Sequence, residues 1–473
     1  MEATAPAVQK PPAADEALSS SACERRILIR WMTSGDAACA VQSKPGTCAF
    51  DLKVQVQAAL GVPIAEQRLF LDDAELSGPG CVPAAALSLQ LLRDGDVRNT
   101  NLAHFRVGLK LEPSIPGELK VIKRLADAIN GTVSLYRWRR EGREDECVAV
   151  KKMPNSKVNQ NLGRETNGWH AHLSWQNAPS HEDSLTEIGV LSYLSRQADL
   201  PLYLLKMRAA FADDRSTWLL TEFANGGALF SHVACAPVPI AEAHIRRYTW
   251  QLLQAVAYLH AHGIGHRDIS LENVLLKDGT VRLMDFGMAV QTHSPSGVPL
   301  RYFQIPGKDN YRPPECYLPP CKTVQAKAPR GADPGDVALV ATAGGYLCEV
   351  RLPADAVAGQ ACTAELWGYA VPPVDVFSSG ICLFILAFQI PLWRRALLSD
   401  PHFSYVHSVG ERGIEMLLKH WDMKPRLSSE GMRLLTGMLQ TQPSKRMTLN
   451  ECLASPWFDA LAGSPVPLHA PPT

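Results

Sequence analysis

The sequence predicts an α+β protein with two folded domains, a small one near the N-terminus and a larger one after it. Three observations support this prediction. The chain has 473 residues and 46% of them are hydrophobic, so it can bury more than one core. Strand-like alternation of apolar residues precedes a helix-like spacing within the first hundred residues, and strands again precede helices further on. Two short aspartate-containing motifs lie in the second half of the chain.

The composition narrows the range of partners. Lys+Arg and Asp+Glu both number 47, so the formal net charge is zero. This balance argues against nucleic acid and against an anionic membrane surface as the main partner. The 12 cysteines form no CxxC pair, so we expect reduced thiols in the cytoplasm. No secretory signal opens the chain, and the most apolar segment, residues 381–390, is shorter than a membrane span and predicts a buried helix.

The first domain begins with an alternating apolar strand at residues 26–31. Asp51 is placed to cap a helix that carries apolar residues such as Val54 at helical spacing. A Gly-x-Pro connection then leads to a strand that contains Phe70, and an apolar run at residues 87–92 closes the domain. This order of elements resembles the ubiquitin fold, a small β-grasp domain.

The resemblance covers residues 25–93. Because Arg-Asp-Gly-Asp follows the last strand and no terminal diglycine is present, we expect this domain to bind a partner that recognises ubiquitin folds rather than to be conjugated. Phe70 lies either on the exposed sheet face that would meet such a partner or in the core. Residues 1–24 and 461–473 are rich in Pro and Ala and are expected to be disordered, and residues 94–117 form a polar linker.

Two motifs indicate the chemistry of the second domain. The string His-Arg-Asp ends at Asp268, Asn273 follows after four residues, and the string Asp-Phe-Gly begins at Asp285. This order and spacing resemble the catalytic and magnesium-binding loops of the eukaryotic protein kinase family, Ser/Thr type. The resemblance implies that Asp268 is the catalytic base and that Asn273 and Asp285 bind Mg²⁺. The two motifs together are far more specific than either alone, because Asp, Asn and Gly also favour ordinary turns.

The resemblance implies a bilobal protein kinase fold over residues 118–460, with a β-rich small lobe and a helical large lobe. The family's glycine-rich lid over the ATP phosphates, G-x-G-x-x-G-x-V, falls on Ala126, Ala128, Gly131 and Val133. Only the third glycine is present. Alanine is the smallest replacement for glycine, so we expect a stiffer lid and not a blocked site.

Lys151, in the string Val-Ala-Val-Lys, matches the family's lysine that contacts the α and β phosphates of ATP. Strand alternation puts Lys151 and Ala149, and not Lys152, on the nucleotide side. The lysine needs a carboxylate partner, which we expect to be Glu187 on a helix with a buried apolar stripe. Glu182 precedes that stripe, in a position that favours helix capping.

The resemblance places the adenine of ATP at the connection between the two lobes. Thr221 would be the gatekeeper, and the backbone of Glu222 and Ala224 would hydrogen-bond to the adenine edge. An apolar slot would hold the purine between the lobes. Its walls would be formed by Val133, Ala149 and Leu275.

Residues 154–181 and 317–372 are not required by the family and are expected to be insertions. Within the second, two apolar runs across a glycine turn predict a pair of strands at residues 337–353. This insertion is either a passive surface loop or a substrate-docking element, and tolerance of surface insertions favours the first. On either side of it, Glu315 is expected to form a buried pair with Arg446.

Ser270 replaces the lysine that the family has two residues after the catalytic aspartate. A family threonine that follows a glycine further along is here Lys308, so the two residue types have exchanged places. Either the Lys308 ammonium reaches Ser270 and the γ-phosphate from the opposite wall of the site, or it points to solvent as most lysines do. Asp375 is expected to brace the backbone of the catalytic loop.

Two functions are compatible with these expectations. In the first, the chain transfers the γ-phosphate of ATP to Ser or Thr hydroxyls of protein substrates. In the alternative, it is a weakly active or inactive pseudokinase that acts as a scaffold through its ubiquitin-like domain. The absence of two lid glycines and the presence of Ser270 would suggest this alternative. The first is favoured because phosphoryl transfer depends mainly on positioning and charge, and those residues are present.

Arg267 suits the docking of a phosphorylated activation loop by charge. Gln304, however, occupies the position a few residues before Gly307 where a phosphorylatable residue would be expected. Either another hydroxyl in the loop serves, or the loop is not switched in this way. The candidate hydroxyls are those of Thr292, Ser294, Ser296 and Tyr302.

Overall fold

A computed structural model of the chain describes residues 25–31, 37–60, 67–71, 74–76, 82, 88–93, 111–115, 117–158, 182–235, 238–293 and 299–462. The chain divides into two compact units, Met1–Arg93 and Asp94–Thr473. The predicted disorder of residues 1–24 and 463–473 lies outside the described residues, as do residues 159–181 of the first predicted insertion.

Among the described residues, the N-terminal unit contains a five-stranded mixed sheet and one helix. Its elements are β1 Arg25–Trp31, β2 Ala37–Ser43, α1 Ala49–Leu60, β3 Gln67–Leu71, β4 Ala74–Glu75 and β5 Ser88–Arg93. The strand order is β2-β1-β5-β3-β4, in which β1 and β5 are parallel and the other neighbours are antiparallel. The first and last strands of this unit, β1 and β5, are therefore neighbours near the centre of the sheet, joined by a crossover connection.

The core of this unit lies between the sheet and α1, where Ile29 and Val56 are fully buried. Phe70 is 8% exposed, but the core beside α1 contains its strand neighbour Leu69 and does not include Phe70. Because neighbouring residues on a strand point to opposite faces, Phe70 lies on the other face of the sheet, and low exposure does not by itself assign it to the core. Val54, one of the apolar residues at helical spacing, is 45% exposed and contributes little to this core. Asp51 lies in the first turn of α1 and accepts a hydrogen bond from the Cys48 N–H at 2.8 Å, so the helix begins two residues before the predicted cap.

The second unit opens with an antiparallel five-stranded sheet in the order β6-β7-β8-β10-β9. Its elements are β6 Glu118–Ala128, β7 Gly131–Arg139, β8 Glu146–Pro154, α2 Asn155–Val158, α3 Ser184–Leu194, β9 Met207–Ala212 and β10 Ser216–Glu222. Strand alternation buries Val148 and Val150 on one face of β8. Glu112, in the predicted linker, forms an isolated bridge to Phe211 of β9, so the end of that segment lies beside the sheet.

The large lobe is mainly helical and surrounds α6, which is buried along almost its whole length. Its helices are α4 Leu229–Ala234, α5 Glu242–Ala261, α6 Val371–Phe388, α7 Pro401–Val409, α8 Gly413–His420, α9 Ser429–Met438, α10 Leu449–Leu453 and α11 Asp459–Ala462. Short 3₁₀ turns lie at Leu271–Asn273, Pro314–Cys316, Gly410–Arg412, Pro443–Lys445 and Pro456–Phe458. The helical turn at α11 includes residues 461 and 462, which were predicted to be disordered.

Helix α6 contains most of the apolar segment predicted at residues 381–390. By length and composition it is the one helix in the described part of the chain that would suit a membrane span, with a mean hydropathy of 1.8, but 89% of it is buried inside the protein. A helix that is apolar on all sides is expected in the centre of a large core. It ends at Gln389, whose φ of +59° stops the helix in a left-handed conformation.

Short strand pairs carry the loops of the large lobe. These strands are β11 Gly227–Ala228, β12 Ile264–Gly265, β13 Val274–Lys277, β14 Thr280–Leu283, β15 Val290–Gln291 and β16 Arg301–Tyr302. Strand β13 pairs with β11 and β14, and β12 pairs with β15. The hairpin β13–β14 separates the two polar motifs, so both motifs lie at the same end of it.

The second insertion is a four-stranded antiparallel sheet rather than the predicted pair of strands. Its elements are β17 Thr323–Lys327, β18 Val337–Ala341, β19 Leu347–Arg351 and β20 Ala361–Leu366, and β21 Tyr369–Ala370 follows and pairs with β16. The predicted hairpin is β18–β19. The prediction missed β17 and β20 because their buried residues, such as Val324 and Ala364, are few and mostly small.

Candidate active site

Asp375 of α6 holds the backbone of the catalytic loop. Its two carboxylate oxygens accept hydrogen bonds from the N–H groups of His266 and Arg267, each at 2.8 Å, and His260 Nε2 lies 2.9 Å from Oδ2. Arg267 has a φ of +67°, an unfavourable value for a residue with a side chain. The buried carboxylate holds this conformation, and thereby fixes the direction in which Asp268 leaves the loop.

Asp268 is 5% exposed and its two carboxylate oxygens have different surroundings. Oδ2 accepts hydrogen bonds from Asn273 Nδ2 at 2.8 Å and from Lys308 Nζ at 3.0 Å. Oδ1 is buried and has no partner among the described residues. A buried acceptor without a donor is costly unless another molecule supplies one. Oδ1 is therefore the oxygen that an incoming hydroxyl would meet.

The side chain of Lys308 is 36% exposed, but its ammonium reaches the catalytic loop. Its Nζ is 2.9 Å from Ser270 Oγ, and Ser270 is fully buried. Gly307, just before it, has a φ of +60°, and a Cβ there would lie 2.7 Å from the Arg267 carbonyl oxygen. This position accepts only glycine, since a side chain would push the segment that carries Lys308 away from the loop.

Burial raises the pKa of Asp268 above its ordinary value. The Lys308 ammonium acts in the opposite direction and the Asp285 carboxylate adds to the increase. A carboxyl group with a raised pKa is a stronger base once it is ionised. The charge that limits this increase comes from Lys308, which lies in the segment between Asp285 and Glu315, called the activation segment below.

Lys151 and Glu187 form an ion pair with a distance of 2.7 Å between Nζ and Oε2. Strand β8 carries the lysine and α3 carries the glutamate. Burial acts to lower the pKa of Lys151, but the carboxylates of Glu187 and Asp285 outweigh it and raise that pKa. The amine therefore keeps its positive charge at neutral pH, as contact with phosphates requires.

The prediction that Glu182 caps α3 is wrong. The N-cap is Asp183, whose carboxylate accepts a hydrogen bond from the Thr186 N–H at 2.7 Å. Glu182 packs against Gly287, where a Cβ would lie 3.3 Å from the Glu182 Cβ. Burial raises the pKa of Glu182 to about 7, and Asp285 adds to this increase. Glu182 is thus a further carboxylate beside the nucleotide site, which its position ahead of the apolar stripe did not suggest.

The connection between the lobes carries the residues predicted to bind adenine. Thr221 and Ala224 are almost completely buried, and the Ala224 N–H has no acceptor among the described residues. The Glu222 N–H donates to the Lys206 carbonyl at 2.9 Å, so of these two N–H groups only that of Ala224 is free to meet adenine. The residues predicted to line the purine slot are all half-buried: Val133, Ala149 and Leu275.

The side chain of Glu222 has a role that sequence analysis missed. Its carboxylate forms ion pairs with Lys277 at 2.7 Å and Arg282 at 3.1 Å, on β13 and β14. Burial acts to raise the pKa of Glu222, but these two cations lower it overall. The ion pairs join the last strand of the small lobe to the hairpin below it.

The predicted phosphate lid is a β-hairpin with register shifts between Val121 and Lys123 and between Arg124 and Ala126. Strands β6 and β7 pair as far as Ala128 and Gly131, with Ala126 opposite Val133. A Cβ on Gly131 would lie 2.1 Å from the Lys152 carbonyl oxygen of β8. The retained glycine therefore allows β7 and β8 to approach each other closely.

Asn273 and Asp285 have the oxygen ligands that Mg²⁺ prefers. Asn273 Nδ2 donates to the backbone and carboxylate oxygens of Asp268, both at 2.8 Å, which directs its side-chain oxygen away from that carboxylate. Asp285 has a φ of +67° at the start of its loop. The described residues contain no cluster of three or more His, Cys, Asp and Glu side chains suited to a metal ion. The phosphates of a nucleotide would therefore have to complete the magnesium site.

The end of the activation segment is attached to the C-terminal helices. Glu315 and Arg446 form a bidentate pair at 2.6 and 3.1 Å, and their side chains are 1% and 0% exposed. Arg446 also donates to the Pro373 carbonyl at 2.8 Å. Because both charges are fully buried and paired, this contact specifies one position for the segment.

Comparison with known proteins agrees with this geometry. The family model described as "Protein kinase domain" matches residues 130–327 and 367–458, and the gap between the two matches falls within the second insertion. CBL-interacting protein kinase 16 of Oryza sativa subsp. japonica is 24% identical over 338 residues, which are 71% of this chain and 56% of that protein. Serine/threonine-protein kinase PLK4 of Nematostella vectensis is 25% identical over 54% of this chain and 20% of its own length.

A third relative is CBL-interacting serine/threonine-protein kinase 12 of Arabidopsis thaliana. It is 25% identical over 331 residues, which are 70% of this chain and 50% of that protein. The chain therefore spans between a fifth and slightly more than half of the length of these curated relatives.

Proposed function

Because this chain belongs to the protein kinase family, we propose that it is an ATP-dependent serine/threonine kinase that acts on protein substrates. The observation that carries the proposal is the buried Asp268, whose Oδ1 has no partner among the described residues, beside the Lys151–Glu187 ion pair. Relatives that are named as serine/threonine kinases support the choice of acceptor.

In the proposed reaction, Asp268 orients the acceptor hydroxyl and takes its proton on Oδ1. The hydroxyl oxygen forms a bond to the γ-phosphorus while the bond from that phosphorus to the bridging oxygen of ADP breaks. Lys151 holds the α and β phosphates by charge. Asn273 and Asp285 would hold Mg²⁺, which would neutralise part of the charge of the phosphates.

Lys308 is proposed to supply the cation that the family has two residues after the catalytic aspartate. Its contacts to Ser270 and Asp268, at 2.9 and 3.0 Å, support this role. An ammonium at this position can donate to the γ-phosphate as the acceptor oxygen approaches. The exchange of residue types at 270 and 308 is therefore no argument for the pseudokinase alternative.

We also propose that residues 25–93 are a ubiquitin-like domain that binds a protein able to recognise ubiquitin folds. Support comes from the strand order β2-β1-β5-β3-β4, the parallel pairing of β1 with β5, and the helix between β2 and β3. The resemblance itself rests on β1, α1, β3 and β5, which follow one another in the expected order.

The variant Asp268→Asn tests the catalytic proposal. Turnover of a generic Ser/Thr substrate with ATP and Mg²⁺ should fall at least about 100-fold, because general base catalysis is lost. The affinity for ATP, measured by fluorescence of a labelled nucleotide, should be unchanged. Asp214→Asn, at an exposed aspartate, is the matched control and should behave as the wild type. If the wild-type chain binds ATP but phosphorylates neither peptides nor proteins, the scaffold alternative replaces this proposal.

A further inference from the structure

The guanidinium of Arg267 is buried, and its contacts among the described residues are all with uncharged groups. Nε donates to the Met288 carbonyl at 2.8 Å, and Nη1 donates to Gln304 Oε1 at 3.2 Å and to Tyr369 Oη at 3.3 Å. Its Cζ lies 5.3 Å from the centre of the Tyr302 ring. No carboxylate forms an ion pair with it in the described part of the chain. The cation next to the catalytic aspartate is therefore satisfied without an anion.

Tyr369 comes from the end of the second insertion and contacts the activation segment directly. Strand β21 pairs with β16, so that Tyr369 lies opposite Tyr302. The Tyr369 hydroxyl donates to the Gln304 carbonyl at 2.6 Å and accepts from Arg267, and its side chain is completely buried. One phenol thus connects the insertion, the activation segment and the catalytic loop.

A second contact joins the same parts of the fold. Arg301 of β16 forms an ion pair with Glu349 of β19 at 2.6 Å, with side chains that are 20% and 14% exposed. Gly368 has a φ of +70°, and a Cβ there would lie 2.6 Å from the Tyr302 carbonyl oxygen. The close approach of β21 to β16 therefore depends on a glycine at this position.

We propose that the second insertion holds the activation segment in its active arrangement without phosphorylation of that segment. We call Glu349 together with strand β21 the clamp. Tyr369 of the clamp and Gln304 are positioning residues that act on Asp268 through Arg267, and the uncharged oxygens take the place that a phosphate would occupy on this guanidinium. The gap in the family match, residues 328–366, contains Glu349, so this part of the clamp is an addition to the shared domain, whereas Tyr369 lies in the second matched range.

Two features of the contacts favour this role over passive packing. The guanidinium of Arg267 donates to Tyr369 of the clamp and to Gln304 of the activation segment. If either of these elements moved away, the buried guanidinium would lose a hydrogen-bond acceptor. Gln304 also stands where a phosphorylatable residue would be expected, and its amide oxygen already receives the Arg267 donor. A phosphate dianion added nearby would have to displace this set of hydrogen bonds. The inference rests on the proposed kinase function for its catalytic consequence only.

Phosphatase treatment of the full-length protein is the first test. Protein from bacteria is dephosphorylated, checked by intact mass, and assayed in initial-rate conditions with a Ser/Thr peptide. We expect kcat to remain within about twofold of the untreated value, since the clamp supplies the contacts that a phosphate would make. A loss of activity that returns when phosphate is added to a hydroxyl within residues 292–302 would overturn the proposal.

Tyr369→Phe is the second test, because it removes the hydroxyl and preserves the ring. We expect kcat to fall about tenfold, as for the loss of a buried hydrogen-bonded group, with KM for ATP unchanged. Hydrogen exchange should become faster in residues 299–313 and stay the same in the small lobe. Tyr405→Phe, at a partly exposed tyrosine of α7, is the matched control. Equal kcat and equal exchange in the two variants would contradict the clamp.

Glu349→Gln tests the clamp at its second contact, where it leaves Arg301 without a charged partner. We expect faster exchange around β16, whereas Glu430→Gln, in an exposed ion pair with Arg433, should not change it. The exchange measurement also separates the two proposals. If the wild-type protein has no transferase activity, the kinase proposal fails, while unchanged exchange in both Tyr369→Phe and Glu349→Gln is what refutes the clamp.

Discussion

At the scale of single residues, opposing electrostatic effects act on the pKa of Asp268. Burial and Asp285 raise its pKa, and the Lys308 ammonium lowers it. In the family pattern the cation near this aspartate lies within the catalytic loop, whereas here it arrives from the activation segment, 40 residues further along. The ionisation of the proposed base therefore depends on the position of that segment. This dependence gives the Ser270 and Lys308 exchange a measurable consequence.

Lys308→Met should shift the acid limb of the pH dependence of kcat to higher pH. The carboxylate must be deprotonated to accept a proton, activity rises with pH as it ionises, and removal of the ammonium removes a contribution that lowers its pKa. The measurement is kcat against pH at fixed saturating Mg²⁺ and ATP, with the exposed Lys419→Met as control. An acid limb that coincides with the wild-type curve would exclude this effect of Lys308 on Asp268.

At the scale of secondary structure, the lid shows which of the family's glycines this fold requires. The positions of the first two glycines, Ala126 and Ala128, lie in a paired strand that accommodates a Cβ. Gly131 is different, because β8 passes directly over it and the Lys152 carbonyl would lie 2.1 Å from a Cβ. Packing between strands explains the one glycine that remains.

Gly131→Ala should destabilise the small lobe by about 1–3 kcal/mol, because the added methyl group forces β7 away from β8. Ala128→Gly, at the paired position across the hairpin, removes a methyl group and should cost no more than about 1 kcal/mol through backbone entropy. Thermal unfolding followed by circular dichroism would compare the two variants with the wild type. A Gly131→Ala protein as stable as wild type would show that these strands separate freely.

At the scale of the whole molecule, the chain contains two units that each have their own core. The N-terminal core includes Ile29 and Val56, and the large core is arranged around α6. In the second unit, Glu315 and Arg446 are 131 residues apart in sequence and yet form a buried bidentate pair. The catalytic residues are therefore held by contacts within the second unit, which contains all of the proposed site.

Deletion of residues 1–93 should preserve phosphorylation of a generic peptide and abolish binding to a purified protein that recognises ubiquitin folds. The site lies in the second unit, and the proposed binding domain lies in the first. In the full chain, Val56→Asp should abolish binding by disrupting the core of the first unit, whereas Val54→Asp, at a residue that is 45% exposed, should leave that unit folded. If the full chain binds no such protein more tightly than the deletion variant, the proposed domain function is wrong.

Local motifs carry the prediction of the chemistry of the candidate site. Phosphoryl transfer requires particular residue types at short spacings, so Asp268, Asn273 and Asp285 can be named from two strings of residues. Lys151 and Glu187 are 36 residues apart, but each lies in a recognisable strand or helix pattern, and their side chains meet at 2.7 Å. The N-cap of α3 shows the limit of this approach, since Asp183 and Glu182 are adjacent acids and only backbone geometry distinguishes them.

The sequence by itself determined the family, the order of the lobes and the residue types of the catalytic loop, because these depend on local patterns and on chemistry. Only the tertiary structure decided which neutral oxygens surround Arg267, since Gln304 and Tyr369 are 37 and 102 residues away from it. No periodicity links such distant residues. Their contact arises from the pairing of two short strands, β16 and β21, and packing over the whole lobe brings these strands together.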